Sequence, residues 1–409
     1  MSNATEVNSE VSKTVNRFDN PQAIFAAVVL GFAGTGVAMG LPLLVGSMAE
    51  NLKFSEEQLG WLASSDMSGL FFGSVLTSFM VTKINRRYLA GIGLLLLILG
   101  NYFSVQFPDL APLMVGRFAA GLGAGFCYAT CTASLSGSHH PARTFSILLF
   151  ILVLMNAFIF YLFPILDAKW GVNGLFYFYI IEALAIFLVL PLLPTHCDEA
   201  TDEVVSQNTL DGSEVRILIP KYLPRLCLVA VFTFYILVGG YWAFIERAGV
   251  DANISLDYIS GTLTWGQIFS ISGTALAVVL ARRYGQSKPL LIALLAMVVT
   301  MLVLAIKIDQ ITFVFSVFSF SFFWIFIDVF QLGILSNIDH SGKYAALVPA
   351  SQGAAQAIGP SLAGALLSYQ FGYSGVMLLC AAAAAIALLI YIYVYQNLKR
   401  IAPDIADAD

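Results

Sequence analysis

Twelve apolar stretches, each close to the ~20 residues needed to cross a bilayer, leave this chain little choice of architecture. They run over 22–48, 58–81, 88–106, 110–135, 144–166, 173–194, 221–245, 257–281, 288–307, 310–336, 344–368 and 372–396. In hydrocarbon every backbone N–H and C=O must be satisfied internally, so each stretch is read as a helix. Composition agrees: 59% of the residues are hydrophobic and 11% charged, with mean hydropathy +0.83. A soluble domain carries about a quarter charged residues. The expected fold class is therefore an all-α membrane protein with twelve transmembrane helices. The net charge of −5 says little, because the sign that matters is local to each loop. With no basic tract, nucleic acid is not an expected partner.

Lys and Arg accumulate in short cytoplasmic loops, and this sets the expected orientation. With the N-terminus inside, Lys13, Arg17, Lys83, Arg86, Arg87, Arg143, Arg216, Lys221, Arg225, Arg282, Arg283, Lys288, Lys343, Lys399 and Arg400 are cytoplasmic. Lys53, Lys169, Arg247 and Lys307 lie outside, and Arg117 falls within a span. Both termini are thus expected in the cytoplasm, in a multi-pass protein of the cell membrane, the inner membrane if the source is bacterial. Residues 1–20 read as a polar cytoplasmic tail without the apolar core of a signal peptide. Residues 195–220 form an acidic hydrophilic linker that divides the spans into bundles at 21–194 and 221–397, and 398–409 is a second tail. The halves repeat: Val81-Thr-Lys-Ile-Asn-Arg-Arg-Tyr-Leu89 follows span two, and Ala281-Arg-Arg-Tyr-Gly-Gln-Ser-Lys-Pro-Leu290 follows span eight, 200 positions later. Repeated bundles with a site at their interface are a transporter pattern.

Charges inside spans are costly and mark sites or satisfied pairs. Arg117 lies in Gly116-Arg-Phe-Ala-Ala-Gly-Leu-Gly-Ala-Gly125. No strand precedes the glycines, so a nucleotide loop is rejected and close helix packing is the reading. Asp66 and Arg117 each sit about eight residues into their spans, roughly 10–12 Å deep at 1.5 Å per residue, and can meet. Such a pair is either structural or exchangeable with a proton or a substrate carboxylate. Asp328, within Trp324-Ile-Phe-Ile-Asp-Val-Phe-Gln331, has no neighbour of opposite sign and is a proton-carrier candidate. Glu182 is a further proton-coupling candidate, with a structural role the stronger alternative. Glu246 ends span seven beside Arg247 and is expected to be a solvated helix-end charge.

The 6+6 topology, the basic loop after spans two and eight and the Arg-Phe-x-x-Gly-x-Gly-x-Gly pattern together resemble the major facilitator superfamily over essentially the whole chain. The resemblance implies two six-helix bundles that rock about a cavity lined chiefly by spans one, four, seven and ten. It assigns Lys83, Arg86, Arg87, Arg283 and Lys288 to conformational loops. Thr82 and Arg282 stand where the family usually has Asp. Span five carries Pro164 alone where drug antiporters are Gly-Pro-rich, which favours uptake.

Substrate contacts are expected from Arg117, Thr35, Asn156, Tyr235, Tyr241, Trp242, Trp265, Gln267, Gln352 and Gln356. The last two are four residues apart and share a helix face. Amides serve equally well as glue between helices. A buried guanidinium can hold a carboxylate bidentately, so a small organic anion is the expected solute, moved by proton symport, with sodium the other candidate ion. Proton-driven efflux of lipophilic cations and a non-transporting sensor or scaffold are the alternatives. No catalytic constellation, cofactor or metal is expected: Cys127, Cys131, Cys227 and Cys380 lie in apolar runs, while Cys197 and all four histidines lie in loops. A monomer is expected.

Overall fold

The computed structural model describes residues 20–81, 83–136, 138, 141–195, 220, 222–338, 344, 347–401 and 403. Residues 1–19, nearly all of the linker and Thr82 lie outside them; of the tail expected over 398–409, residues 398–401 instead continue the last helix, because an apolar span of 372–396 leaves its polar final turn unmarked. Twelve α-helices appear among the described residues: α1 (Pro21–Leu52), α2 (Glu56–Met80), α3 (Arg86–Gln106), α4 (Leu110–Ser136), α5 (Pro141–Trp170), α6 (Val172–Phe187), α7 (Tyr222–Asp251), α8 (Leu256–Tyr284), α9 (Ser287–Ile306), α10 (Gln310–Ile338), α11 (Val348–Ser368) and α12 (Gly372–Ile401). Each coincides with one expected span. The clearest departure is α6, expected to reach residue 194. It stops at Phe187 and gives way to a 3-10 turn over Leu190–Leu192. Pro191 and Pro194 explain this, because proline lacks the N–H an α-helix requires and disfavours helical backbone in the residue before it.

Nine of the described helices are long and apolar enough to cross a membrane; α2, α6 and α11 fall short. For α6 the reason is length. Helices α2 and α11 pack on one another and form part of the seam between the bundles. Ser361 donates to Ser64 Oγ from its N–H at 3.0 Å and shares a hydroxyl contact of 2.7 Å with it. A helix covered by protein on its seam face tolerates Ser, Gly and Ala there, and small residues let backbones approach. Pairs α5/α8 and α1/α7 complete the seam.

The three glycines after Arg117 divide between two neighbours: the Cβ directions of Gly121 and Gly125 are filled by α2 backbone and that of Gly123 by α3 backbone. Positions two apart on a helix point to opposite sides, so one motif packs two helices.

The 200-residue repeat holds in three dimensions. α4 and α10 begin at Leu110 and Gln310, and the carbonyls of Asp109 and Asp309 accept from Leu113 and Phe313, one turn inside. Asp309 also caps α10, its Oδ1 accepting from the N–H groups of Ile311 and Thr312 at 3.1 and 3.0 Å. The Thr312 N–H, and then the Lys307 ammonium at 2.9 Å, hold its carboxyl down at about 2, against an ordinary 3.8. A depressed folded-state value contributes stability that is present above the ordinary value and is lost as pH falls through the lower one. Wild type is therefore expected to lose stability between about pH 4 and pH 2 by an increment that Asp309→Ala lacks, read from melting curves of the two proteins.

Candidate functional site

Three polar assemblies lie along the helices. The first is inside the N-terminal bundle. Arg117 on α4 is fully buried, with Nη1 3.7 Å from Asp66 Oδ2 of α2 and Nη2 donating to Asn101 Oδ1 of α3 at 2.8 Å. Its guanidinium lies 4.8 Å from the Phe176 ring centroid of α6. Helices α2, α3 and α6 thus enclose the side chain. Asp66 and Arg117 meet, as their equal depths in α2 and α4 led one to expect, whereas Asn101 and Phe176 carry no sequence signal that ties them to the pair. The corresponding positions of the second half are Gly266, Met301 and Val317, and Gly266 packs directly on Val317. The ionic assembly belongs to one half only.

The second assembly occupies the centre. Residues 320, 324 and 328 recur every four positions on one face of α10. Tyr235 of α7 donates to Asp328 Oδ2 at 2.5 Å, and Trp324 Nε1 donates to the Tyr235 oxygen at 3.3 Å. Trp242 of α7 stacks on Phe320 at 5.7 Å and 15°, meets Phe160 of α5 edge-on at 5.8 Å, and donates to the Ala38 carbonyl of α1 at 3.0 Å. Helices α1, α5, α7 and α10 therefore converge on one aromatic shelf that borders Asp328. Tyr128 of α4, 200 positions before Asp328, is within electrostatic reach of it, so the interaction joins repeat-related positions of the two bundles. The repeat contained this signal, since adding 200 to the α4 position Tyr128 reaches Asp328.

The third assembly is at the end of the molecule away from the termini, called here the distal end. Arg247 of α7 bonds Glu50 of α1 at 2.7 Å and Glu56 of α2 at 3.4 Å, and Tyr373 of α12 donates to Glu56 at 2.7 Å. Asp167 of α5 accepts from Ser47 and, at 3.0 Å, from Asn51. Glu246 corrects the expectation of a solvated charge: it is 2% exposed, and its carboxylate rests on Gly46 of α1. The close approach of α1 and α7 removes this helix end from water.

The other sequence candidates separate clearly. Asn156 of α5 reaches Met39 Sδ at 3.6 Å, next to the Ala38 carbonyl that receives Trp242. Tyr241 meets Ser316 at 3.1 Å beside Phe320. Thr35 is spent on its own helix, donating to the Gly31 carbonyl at 3.0 Å. Gln267 is buried on α8, and Gln352 and Gln356 are half-buried on α11, where Gln356 backbone fills the Cβ direction of Gly239. Trp265 is 64% exposed, so α8 turns it away from the aromatic shelf. Glu182 of α6 lies against Gly36 of α1 inside the N-terminal bundle, with one carboxylate oxygen unpaired. In the basic loop Arg87 Nε donates to the Leu193 carbonyl at 2.6 Å, and Arg86 N–H to the Thr195 carbonyl at 3.1 Å, which fastens the chain leaving α6. Lys83 is exposed; Arg283 lies 5.3 Å from the ring centroid of Tyr284; Lys288 opens α9.

The sequence pattern of the Major Facilitator Superfamily matches residues 24–336. The chain belongs to this superfamily. Among curated relatives, the galactose-proton symporter of Escherichia coli (strain K12) is 24% identical over 128 residues, 31% of this chain and 28% of that protein. Probable polyol transporter 6 of Arabidopsis thaliana is 32% identical over 125 residues, 30% of this chain and 25% of that protein. The multidrug resistance protein MdtL of Shewanella oneidensis is 32% identical over 104 residues, a quarter of each chain. The matched segments thus span under a third of those relatives. In three dimensions the similarity is nearly complete. The D-xylose-proton symporter superposes with a TM-score of 0.68 at 16% identity, covering 90% of this chain and 95% of that one. The nucleoside transporter NupG gives 0.70 at 13% identity, covering 91% and 99%. These distant likenesses establish the major facilitator fold; membership of the superfamily makes this chain a multi-pass membrane transporter and not an enzyme.

Proposed function

We propose that this chain is a proton-coupled symporter of a small, polar, uncharged organic solute. Asp328 carries the proton, and the shelf of Trp242, Phe320 and Trp324 receives the solute. The observation that carries the reading is the placement of Asp328: one carboxylate oxygen is tied to Tyr235, the other is unpaired, and Tyr128 of the opposite bundle stands within electrostatic reach. A carboxylate so placed responds to relative movement of the bundles, which is the requirement for coupling in alternating access. Aromatic faces offer flat apolar area, and the Asn156 and Tyr235 side chains offer hydrogen bonds beside it.

The organic-anion reading rested on Arg117. That guanidinium is engaged by Asp66 and Asn101, which supports a structural role for the pair and favours an uncharged solute. The names of the galactose-proton symporter and the polyol transporter lend the same support. The excess of Lys and Arg in the loops at the end opposite the Arg247 cluster supports an orientation with that end, and both termini, in the cytoplasm.

The test is uptake into proteoliposomes with an alkaline interior, using a panel of pentoses, hexoses, polyols, carboxylates and lipophilic cations. Wild type should accumulate a sugar or polyol when the gradient is imposed. Asp328→Asn should retain exchange of that solute across the membrane at zero gradient and lose accumulation. An Asp328→Asn protein that accumulates as wild type does would falsify the proton assignment. Accumulation of carboxylates alone would restore the anion reading, and gradient-driven loss of preloaded lipophilic cations alone would establish efflux.

A further inference from the structure

Asp328 Oδ2 is held by Tyr235, but Oδ1, although buried, has no hydrogen-bond partner among the described residues. Both amide atoms of Gln331 and the hydroxyl of Tyr391 are in the same condition. Gln331 follows Asp328 by three residues and so shares its face of α10. It is 1% exposed. Tyr391 of α12 is 2% exposed and lies within electrostatic reach of both Asp328 and Cys227 of α7. Two helices of the C-terminal bundle, α10 and α12, thus carry unmet polar groups within electrostatic reach of one another. The corresponding positions in α4 are Tyr128 and Cys131, so the first half has no counterpart.

Buried polar groups are almost always hydrogen-bonded, and where protein supplies no partner, water does. A buried water makes about three hydrogen bonds. The groups present meet that need: the Gln331 Nε2 and the Tyr391 hydroxyl donate, while Asp328 Oδ1 and Gln331 Oε1 accept. We propose that Asp328 Oδ1, the Gln331 amide and the Tyr391 hydroxyl form a water-binding site inside the C-terminal bundle, through which the Asp328 proton exchanges with solvent. In the exchange step the O–H bond at Oδ1 breaks as one forms on the water oxygen, and the excess proton on that water passes to the next water. Reloading is the reverse. Tyr235 keeps Oδ2 fixed meanwhile, so the two carboxylate oxygens have separate duties. Among the described residues, the titratable groups within reach of Asp328 are Tyr235 of α7, Tyr128 of α4 and Tyr391 of α12, and Cys227 of α7 is within reach of Tyr391. The site rests on the proton-carrier reading of Asp328, and gives Gln331 and Tyr391 positioning roles within it.

Infrared difference spectroscopy of the full chain in lipid tests this with water itself as the probe. The carboxyl band of Asp328, identified by its loss in Asp328→Asn, is followed on transfer from H2O to D2O. Gln331→Leu and Tyr391→Phe should each raise the band frequency. Each should also slow its exchange roughly tenfold, the equivalent of one lost hydrogen bond. Gln331→Asn, which keeps the amide on a shorter stem, should recover part of the rate and carries the test if the leucine variant does not fold. A band that neither variant moves or slows overturns the water site while leaving Asp328 as carrier. Absence of an Asp328 carboxyl band at every pH overturns the carrier reading itself.

Discussion

Arg117→Met is expected to lower the unfolding free energy by about 3–5 kcal/mol, the cost of leaving one member of a buried ion pair uncompensated. Asp66 has no hydrogen bond to its carboxylate, so the guanidinium 3.7 Å away is what offsets its burial among the described residues. Asn101 would lose its donor at the same time. The decisive comparison is the double variant Asp66→Leu/Arg117→Met, because replacing a whole buried pair by apolar groups is often neutral or stabilising. The second half of the chain already does so, with Gly266 packed on Val317. Denaturation midpoints in detergent should fall for the single variant and return toward wild type for the double. If the double variant also transports, the pair is structural. A single variant as stable as wild type would show that Asp66 does not depend on Arg117.

Gly46→Val should hold the distal end open. A side chain at Gly46 would enter the space filled by the Glu246 carboxylate, and these residues, 200 positions apart, meet where the two bundles touch. Over-packing costs about 1–3 kcal/mol, which corresponds to roughly 5- to 150-fold in a two-state ratio. The closed form would carry that cost, since separation of α1 from α7 relieves the overlap. Spin labels at Gln58 and Tyr369, on the distal ends of α2 and α11, should report a longer distance in Gly46→Val than in the native background. Adding Glu246→Gly should shorten it again. If the distance is unchanged in Gly46→Val, α1 absorbs the side chain elsewhere and this contact is not part of the closure. The Arg247 bonds to Glu50 and Glu56 stretch across the same seam. Closure therefore combines one steric fit with ion pairs.

Twelve helices, their approximate ends and the 200-residue repeat were legible in the sequence because hydrocarbon imposes them locally: each span satisfies its own backbone, and its length follows from bilayer thickness. Asp66 and Arg117 could be paired by depth along two helices of known rise. Depth does not fix azimuth. It was azimuth that turned Trp265 outward, closed α2, α3 and α6 around Arg117, and brought Asp328 beneath Tyr235. The end of α6 lay outside the apolar signal because Leu190–Leu192 is as apolar as helix, and proline decides it.

By itself, then, the sequence determined the class, the count of helices, the two halves and the short list of charges that a membrane interior must account for. The tertiary structure decided where each of those charges is placed: Arg117 beside Asp66 and Asn101 within its bundle, Glu246 buried against a glycine of the opposite half, Asp328 hydrogen-bonded on one oxygen only. The physical reason is that burying a charge costs the same wherever it sits in sequence, while the groups that offset it arrive from helices whose packing is set by the whole chain.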